Sequence, residues 1–390
     1  MPPLDTGIAV TLNVSAGAVA SVQIRSTRLT QASRLLAGRT ADQVATILPT
    51  VYALCGTAQG LAAAAAIEAA AGVVPSPAQR MARRFLLQLE TVGEHALGIL
   101  RDWPELLDEP PELAAAKPLR PMLAAAKRGL YPDGDWAKAG GGRLAINPGT
   151  LIELMRQVED VAARIFAGSP ETWLREPVLF HAWVRRGETI AARLLRRILD
   201  GGLAGFGRSP VPLMPEAGPP DLTWRLAGDR DGSYVTRPDT AGMPLETGSL
   251  ARQADVPLIA ELLVEHGHGL IARFAARLVE IAEALRELEE LVLDLSDDAG
   301  APGAIAGSGI GFGLIDAARG LLVHRVELEE GVVRRYQILA PTEWNFHPDG
   351  PLRRGLVGVA AGPDLAWRAR LLAAALDPCV ACSVEVVEYA

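Results

Sequence analysis

Apolar residues at helical spacing run through most of this sequence, and that periodicity restricts the fold more than any other feature. From about Thr30 the stretches "QASRLLAGRTADQVATILPTVYALCG", "GLAAAAAIEAAAGVV" and "AQRMARRFLLQLETVGEHALGILRDW" all read as helix. Roughly Thr150 to Leu199 does so again. Residues 254 to 294 carry a long amphipathic pattern, with Leu, Ile and Val at helical spacing and Arg and Glu between them. Strand signals are few. "IAVTLNVSAGAVASVQIRS" alternates apolar and polar residues around Ala16-Gly17 and predicts an opening hairpin. "GLLVHRVELEEGVVRRYQILAP" predicts a second, turning at Glu330-Gly331. The expected fold class is mainly α, of the α+β kind, a helical bundle with small β-hairpin additions. We read one domain over residues 1–390. The loop-like "GGLAGFGRSPVPLMPEAGPPD", near 201–222, is its best internal boundary.

Bulk properties narrow the function. With 49% apolar and 22% charged residues, a 390-residue chain can bury a sizeable core. A formal charge of -8 gives no electrostatic ground for a nucleic-acid partner. Three cysteines are too few for a disulfide framework and are expected to be reduced. The opening "MPPLDTGIAV" lacks the basic-then-apolar pattern of a signal peptide. The most membrane-like run is broken by Glu68 and consists mostly of alanine, so no membrane insertion is expected. The expected location is the cytoplasm.

Most candidate motifs have a plain structural reading. "GSGIGFG" fails the dinucleotide-binding spacing and has no strand–helix unit around it, so it reads as a turn-rich loop. His266 and His268 stand two apart on a predicted helix and point to different faces. The charges from Glu261 to Glu290 read as the solvated face of a long helix. The terminal "DPCVAC" carries more. Asp377-Pro378 reads as a helix start, with Asp as N-cap and Pro at the first helical position. Cys379 and Cys382 would then share one face of its first turn, where free N–H groups stabilise thiolate. Such a pair can be a redox couple, half of a zinc site or part of a more specialised metal site. Cys55, in "VYALCGTAQGLAAAAA", also stands at a predicted helix start, so two thiolate-bearing helix ends could converge on one buried site.

Several of these segments together resemble the large subunit of nickel–iron hydrogenases. "DPCVAC" looks like that family's C-terminal DPCxxC signature, and "LCGTAQ" like a reduced form of its N-terminal RxCGxCxxxH motif. "LLAGR" precedes Cys55 as a Gly-Arg pair does in the family. "PLETGSLAR", "DAARGLLVH" and "APTEWNFHP" resemble three further family segments, and all occur in the family's order. The departures matter equally. Ala58 occupies the second position of the N-terminal pair, Ala62 the position of a histidine, Ser33 that of a glutamate, and Glu385 that of the histidine after DPCxxC. Five residues follow Glu385, so the cleavable tail of many large-subunit precursors is expected to be absent.

This pattern, an iron pocket kept beside an incomplete nickel pocket, resembles the HupK/HoxV-type hydrogenase maturation proteins. The resemblance implies a non-catalytic scaffold that transiently holds an iron dicyanide–carbonyl fragment through Cys55, Cys379 and Cys382. Nickel is not expected, because alanine at position 58 has no lone pair to offer. Around the fragment the resemblance implies Arg319 reaching toward cyanide, Thr342 beside it, His324 and Asn345 nearby, and Glu385 as a ligand substitute or acceptor. Its partners would be the maturation chaperones that deliver iron and the hydrogenase large-subunit precursor. Two other readings are a divergent large subunit with residual hydrogen activation and a metal-free interaction protein.

Overall fold

Both predicted hairpins form. In the computed structural model, which describes residues 7–28, 32–52, 54–301 and 303–389, Gly7–Ser15 (β1) and Ala18–Ser26 (β2) pair antiparallel around Ala16-Gly17. Both turn residues have positive φ, as a two-residue hairpin loop requires. A second sheet contains Gly309–Ala317 (β3), Gly320–Glu329 (β4) and Val332–Leu339 (β5) in the order β3-β4-β5, and Glu330-Gly331 makes the second turn. Ala381–Glu388 (β6) adds parallel to β1, giving the order β2-β1-β6 in the first sheet. The rest of the regular structure is helical, as the periodicity requires. The helices closest to the site are Ala41–Val51 (α1), Gly56–Ala71 (α2) and Pro77–Leu97 (α3).

The glycine-rich stretch is a strand, not the expected loop. Gly309, Gly311 and Gly313 alternate along β3 and therefore share one face. A Cβ on any of them would overlap the backbone of α2, at Ala70, Ala66 and Ala62 respectively. The matching helix face is spaced by four, so alanines and glycines let helix and strand approach backbone to backbone. This explains why α2 is buried almost all round while carrying hardly any large side chain. It also fixes the N-terminus of α2, and Cys55 with it, against the second sheet.

The amphipathic run over 254–294 is two helices, Pro257–His266 and Leu270–Asp294, separated at Gly267, which has positive φ. His266 ends the first and His268 lies in the break, so they do not share a helix. The second of these helices packs on α3. Its charges are not all solvated. Glu280 is buried, ion-paired with Arg252 (2.5 Å) and hydrogen-bonded to His95 (2.7 Å).

The largest correction concerns the terminal CxxC. Helix Leu365–Ala375 ends just before it, Asp377 has φ +54°, and the chain bends through Pro378-Cys379-Val380 into β6. No helix starts at Asp377. The following "ACSVEVVE" alternates and is rich in β-branched valine, and β1 offers an open edge for it. Cys382, Val384 and Val386 pack against the core, whereas Ala381, Ser383 and Glu385 are exposed.

Candidate functional site

The motifs converge because polar side chains stitch them together. Asn345 Oδ1 accepts from the Thr247 N–H (2.9 Å), and its Nδ2 donates to the Thr247 carbonyl (3.0 Å). Thr247 Oγ1 accepts from the Leu321 N–H (2.9 Å). Arg252, from the same segment as Thr247, donates to the Ala318 carbonyl (3.2 Å). Gly248, with φ +116°, lets the backbone pass the Arg319 carbonyl, which a Cβ would meet at 3.2 Å. These contacts set Arg319 in the turn between β3 and β4, beside the bend that holds Asp377 and Cys379.

Cys55 and Cys379, from opposite ends of the chain, line one cavity of about 280 Å³. Arg28, Glu90, Glu94, Arg319, Thr342 and Glu343 supply its polar wall. Thr342 Oγ1 lies 3.1 Å from Cys379 Sγ. Arg319 donates to Glu94 (3.0 Å), and its Nε stands 3.5 Å from Asp377. Burial opposes the Arg319 charge, but Asp377 and Glu94 outweigh it and hold the guanidinium protonated. Burial also opposes ionisation of Asp377, yet Arg277 and Arg319 keep its carboxyl below the usual range. Arg319 Nε and Glu343 Oε2 are buried without a hydrogen-bond partner. Such atoms are costly unless something polar meets them, so the wall is chemically suited to a small polar guest.

Cys55 does stand at the helix start, as the N-cap of α2, but the helix N-terminus does not serve its sulfur. The N–H groups of Thr57 and Ala58 donate to the two oxygens of buried Glu90 (2.7 and 2.8 Å). Burial, with Glu90 and Cys379 nearby, pushes the Cys55 thiol up to about 12. At rest it is a thiol. Gln59 Nε2 reaches Cys55 Sγ at 3.9 Å, and Gln59 Oε1 meets His324 Nε2 at 3.0 Å. His324 Nδ1 lies 2.8 Å from the Tyr336 hydroxyl. An amide oxygen only accepts, so His324 donates through Nε2 and accepts at Nδ1. The relay therefore runs from Tyr336 through His324 and Gln59 and ends as a donor to Cys55 sulfur.

The predicted residues thus separate into groups. Cys55, Cys379, Arg319 and Thr342 line the cavity, and His324 touches Cys55 through Gln59. Asn345 acts at a distance by tying Thr247 to the segment before the bend, where it also reaches the Leu376 carbonyl (3.5 Å). Cys382 is outside the cavity, on β6 opposite Ile8. Glu385 is on the exposed face of the same strand, opposite Thr11. Among the described residues no group of three or more His, Cys, Asp and Glu side chains is placed to hold a metal ion. Sequence reasoning missed Arg28, Glu90 and Glu94. Arg28 donates to Glu343 (2.5 Å) across the cavity. The two glutamates are four apart within the apolar run of α3, a spacing that puts both on one helix face and could have flagged them.

His324 is fully buried, and burial depresses its pKa to about 3. It stays neutral when folded but takes a proton in the unfolded chain below pH 6.5. Its contribution to stability is therefore whole above that pH and is lost as pH falls toward 3, by about 1.4 kcal/mol per pH unit. Denaturant melts from pH 7 to pH 4.5 should show this slope, and His324→Gln should flatten it.

Comparison with known proteins gives consistent findings. The family model described as nickel-dependent hydrogenase matches residues 220–385. The hydrogenase expression/formation protein HupV of Azotobacter chroococcum mcd 1 is 34% identical, covering 97% of this chain and 98% of its own. The hydrogenase expression/formation protein HoxV of Cupriavidus necator is 32% identical, covering 92% and 91%. The fold is similar to that of the Ni-Fe-Se hydrogenase from D. vulgaris Hildenborough, with TM-score 0.68, 16% identity and 94% of each chain covered. Among the described residues no helix is long and apolar enough to cross a membrane.

Proposed function

Because this chain belongs to the family of hydrogenase expression/formation proteins represented by HupV, HupK and HoxV, we propose that it is a scaffold in hydrogenase maturation that holds an iron dicyanide–carbonyl fragment as cargo. One observation carries the reading: Cys55 and Cys379 line the same cavity, with Arg319 and Thr342 on its wall. Two thiolates would bind the iron. Arg319 is a permanent donor for cyanide nitrogen, and its Nε, which faces Asp377 at 3.5 Å, makes no hydrogen bond of its own. The relay that ends on Cys55 favours its thiolate, the form that binds a metal, over its thiol, since its last hydrogen bond is donated to sulfur.

Ala58 supports cargo holding over hydrogen catalysis. It is fully buried in α2 with its N–H taken by Glu90, so the second thiolate of the N-terminal pair has no substitute there. Nickel is accordingly left out of the proposed cargo. The partners in this reading are the maturation chaperones that deliver iron and the large-subunit precursor that receives it.

Infrared spectroscopy of the full chain, purified anaerobically after co-expression with the iron-delivering partners, tests the reading. Cyanide and carbonyl stretching bands are expected, together with iron and without stoichiometric nickel. Protein purified under those conditions without such bands would sink it.

A further inference from the structure

The three thiols are distributed over two adjoining chambers. The inner one is the cavity already described. The outer one, about 530 Å³, is lined by both sulfur-bearing residues of the CxxC. Leu54, Glu94, Arg319, Cys379 and Val380 line both, so they form the partition. Cys55 belongs to the inner chamber alone and Cys382 to the outer alone. The arrangement is held by the sheet. β6 pairs with β1 through eight successive positions, from Gly7 with Ala381 to Val14 with Glu388, which pins Cys382 opposite Ile8. Cys379 lies three residues earlier, in the bend, with Thr342 at its sulfur. Cys55 and Cys382 therefore line different chambers while the strand is in place.

We propose that Cys382 is a docking ligand in the outer chamber, where an anionic iron dicyanide–carbonyl fragment is first caught, and that the fragment then passes inward to Cys55 with Cys379 as the ligand common to both stops. This rests on the reading of the inner cavity as the fragment's seat. Arg277 and Arg370 line the outer chamber with Arg101 and, on the partition, Arg319, beside the carboxylates of Glu94, Asp102, Glu105 and Asp377, so guanidiniums accompany the anion throughout within a wall that carries both signs. Arg277 shares Asp377 with Arg319 (3.6 and 3.5 Å), so the positive charge on the wall is partly balanced before any guest arrives.

The transfer is a ligand exchange without redox change. The bond from iron to Cys382 sulfur breaks as one to Cys55 sulfur forms. The proton of the Cys55 thiol goes to the departing Cys382 thiolate, and the iron keeps its oxidation state and its bond to Cys379. On entry the bonds from iron to the delivering partner's thiolates break as bonds to Cys379 and Cys382 sulfur form, and the protons of those two thiols pass to the released partner thiolates.

Pulsed co-expression of the full chain with the iron-delivering partners, followed by anaerobic purification, gives the test. The readouts are cyanide and carbonyl band intensity and iron per chain. Cys55→Ser should retain the bands at altered positions, the fragment resting on Cys379 and Cys382. Cys382→Ser should load at least about tenfold more slowly than wild type. Loading of Cys382→Ser at the wild-type rate, beside a wild type that shows bands, overturns this inference alone. A wild type without bands overturns the inner seat as well. Should Cys382→Ser not fold, Cys382→Ala replaces it. The cargo-free wild type supplies an independent arm, because N-ethylmaleimide should modify Cys382 before Cys55, and the reverse order overturns the inference.

Discussion

Replacing Cys379 by serine should empty the protein of cargo, with iron and cyanide–carbonyl bands falling by about a hundredfold or more. Cys379 is the cysteine common to both chambers, so its loss removes a ligand that no other thiol replaces. Serine keeps the shape of the bend but is not deprotonated near neutral pH, so it is a poor soft ligand. Thr342→Val provides the graded comparison. It leaves the sulfur in place and removes the hydroxyl 3.1 Å from it, and the expected loss is about 10- to 100-fold, the usual range for a group that supports a ligand. Equal retention of bands by wild type and Cys379→Ser would show that the fragment is held elsewhere.

Gly313→Ala should destabilise the fold by about 3 kcal/mol or more, read as a drop in the denaturation midpoint. The added methyl would overlap the Ala62 carbonyl of α2, and backbone cannot rotate aside as a side chain can. The helix would have to move from the strand, carrying Cys55 with it, so cargo retention should fall alongside stability. Gly93→Ala is the control. Gly93 lies inside α3, where an added methyl would meet nothing within 4 Å, and alanine there should stabilise by up to about 1 kcal/mol through helix propensity. A Gly313→Ala protein as stable as wild type would show that α2 does not depend on close approach to β3.

What the sequence made legible was mostly local. Alternation around Ala16-Gly17 and the turn at Glu330-Gly331 gave both hairpins, and Cys55 stands at the helix start expected for it. The misses are tertiary. "GSGIGFG" has the composition of a loop, and only the alanine face of α2 against it shows why a strand there needs glycine. Asp377-Pro378 has the chemistry of a helix start, but the Asp377 carboxylate is engaged by Arg277 and Arg319, and the valines beyond pair with a strand from the other end of the chain. Glu280 looks like one more surface charge until Arg252 and His95 are seen to enclose it. Spacing groups Cys382 with Cys379 because it shows which residues are near in sequence, not which side of a partition they face.

The parallel pairing of β6 with β1 also bears on the order in which the molecule assembles. A contact between strands at opposite ends of the described chain carries the largest loop-closure cost in the fold, so it is expected to form late. β6 is also an edge strand with a single partner. The segment that carries Cys379 and Cys382 should therefore dock last during folding and open first on gentle destabilisation, which amide hydrogen exchange along β6 would register as low protection against the core helices.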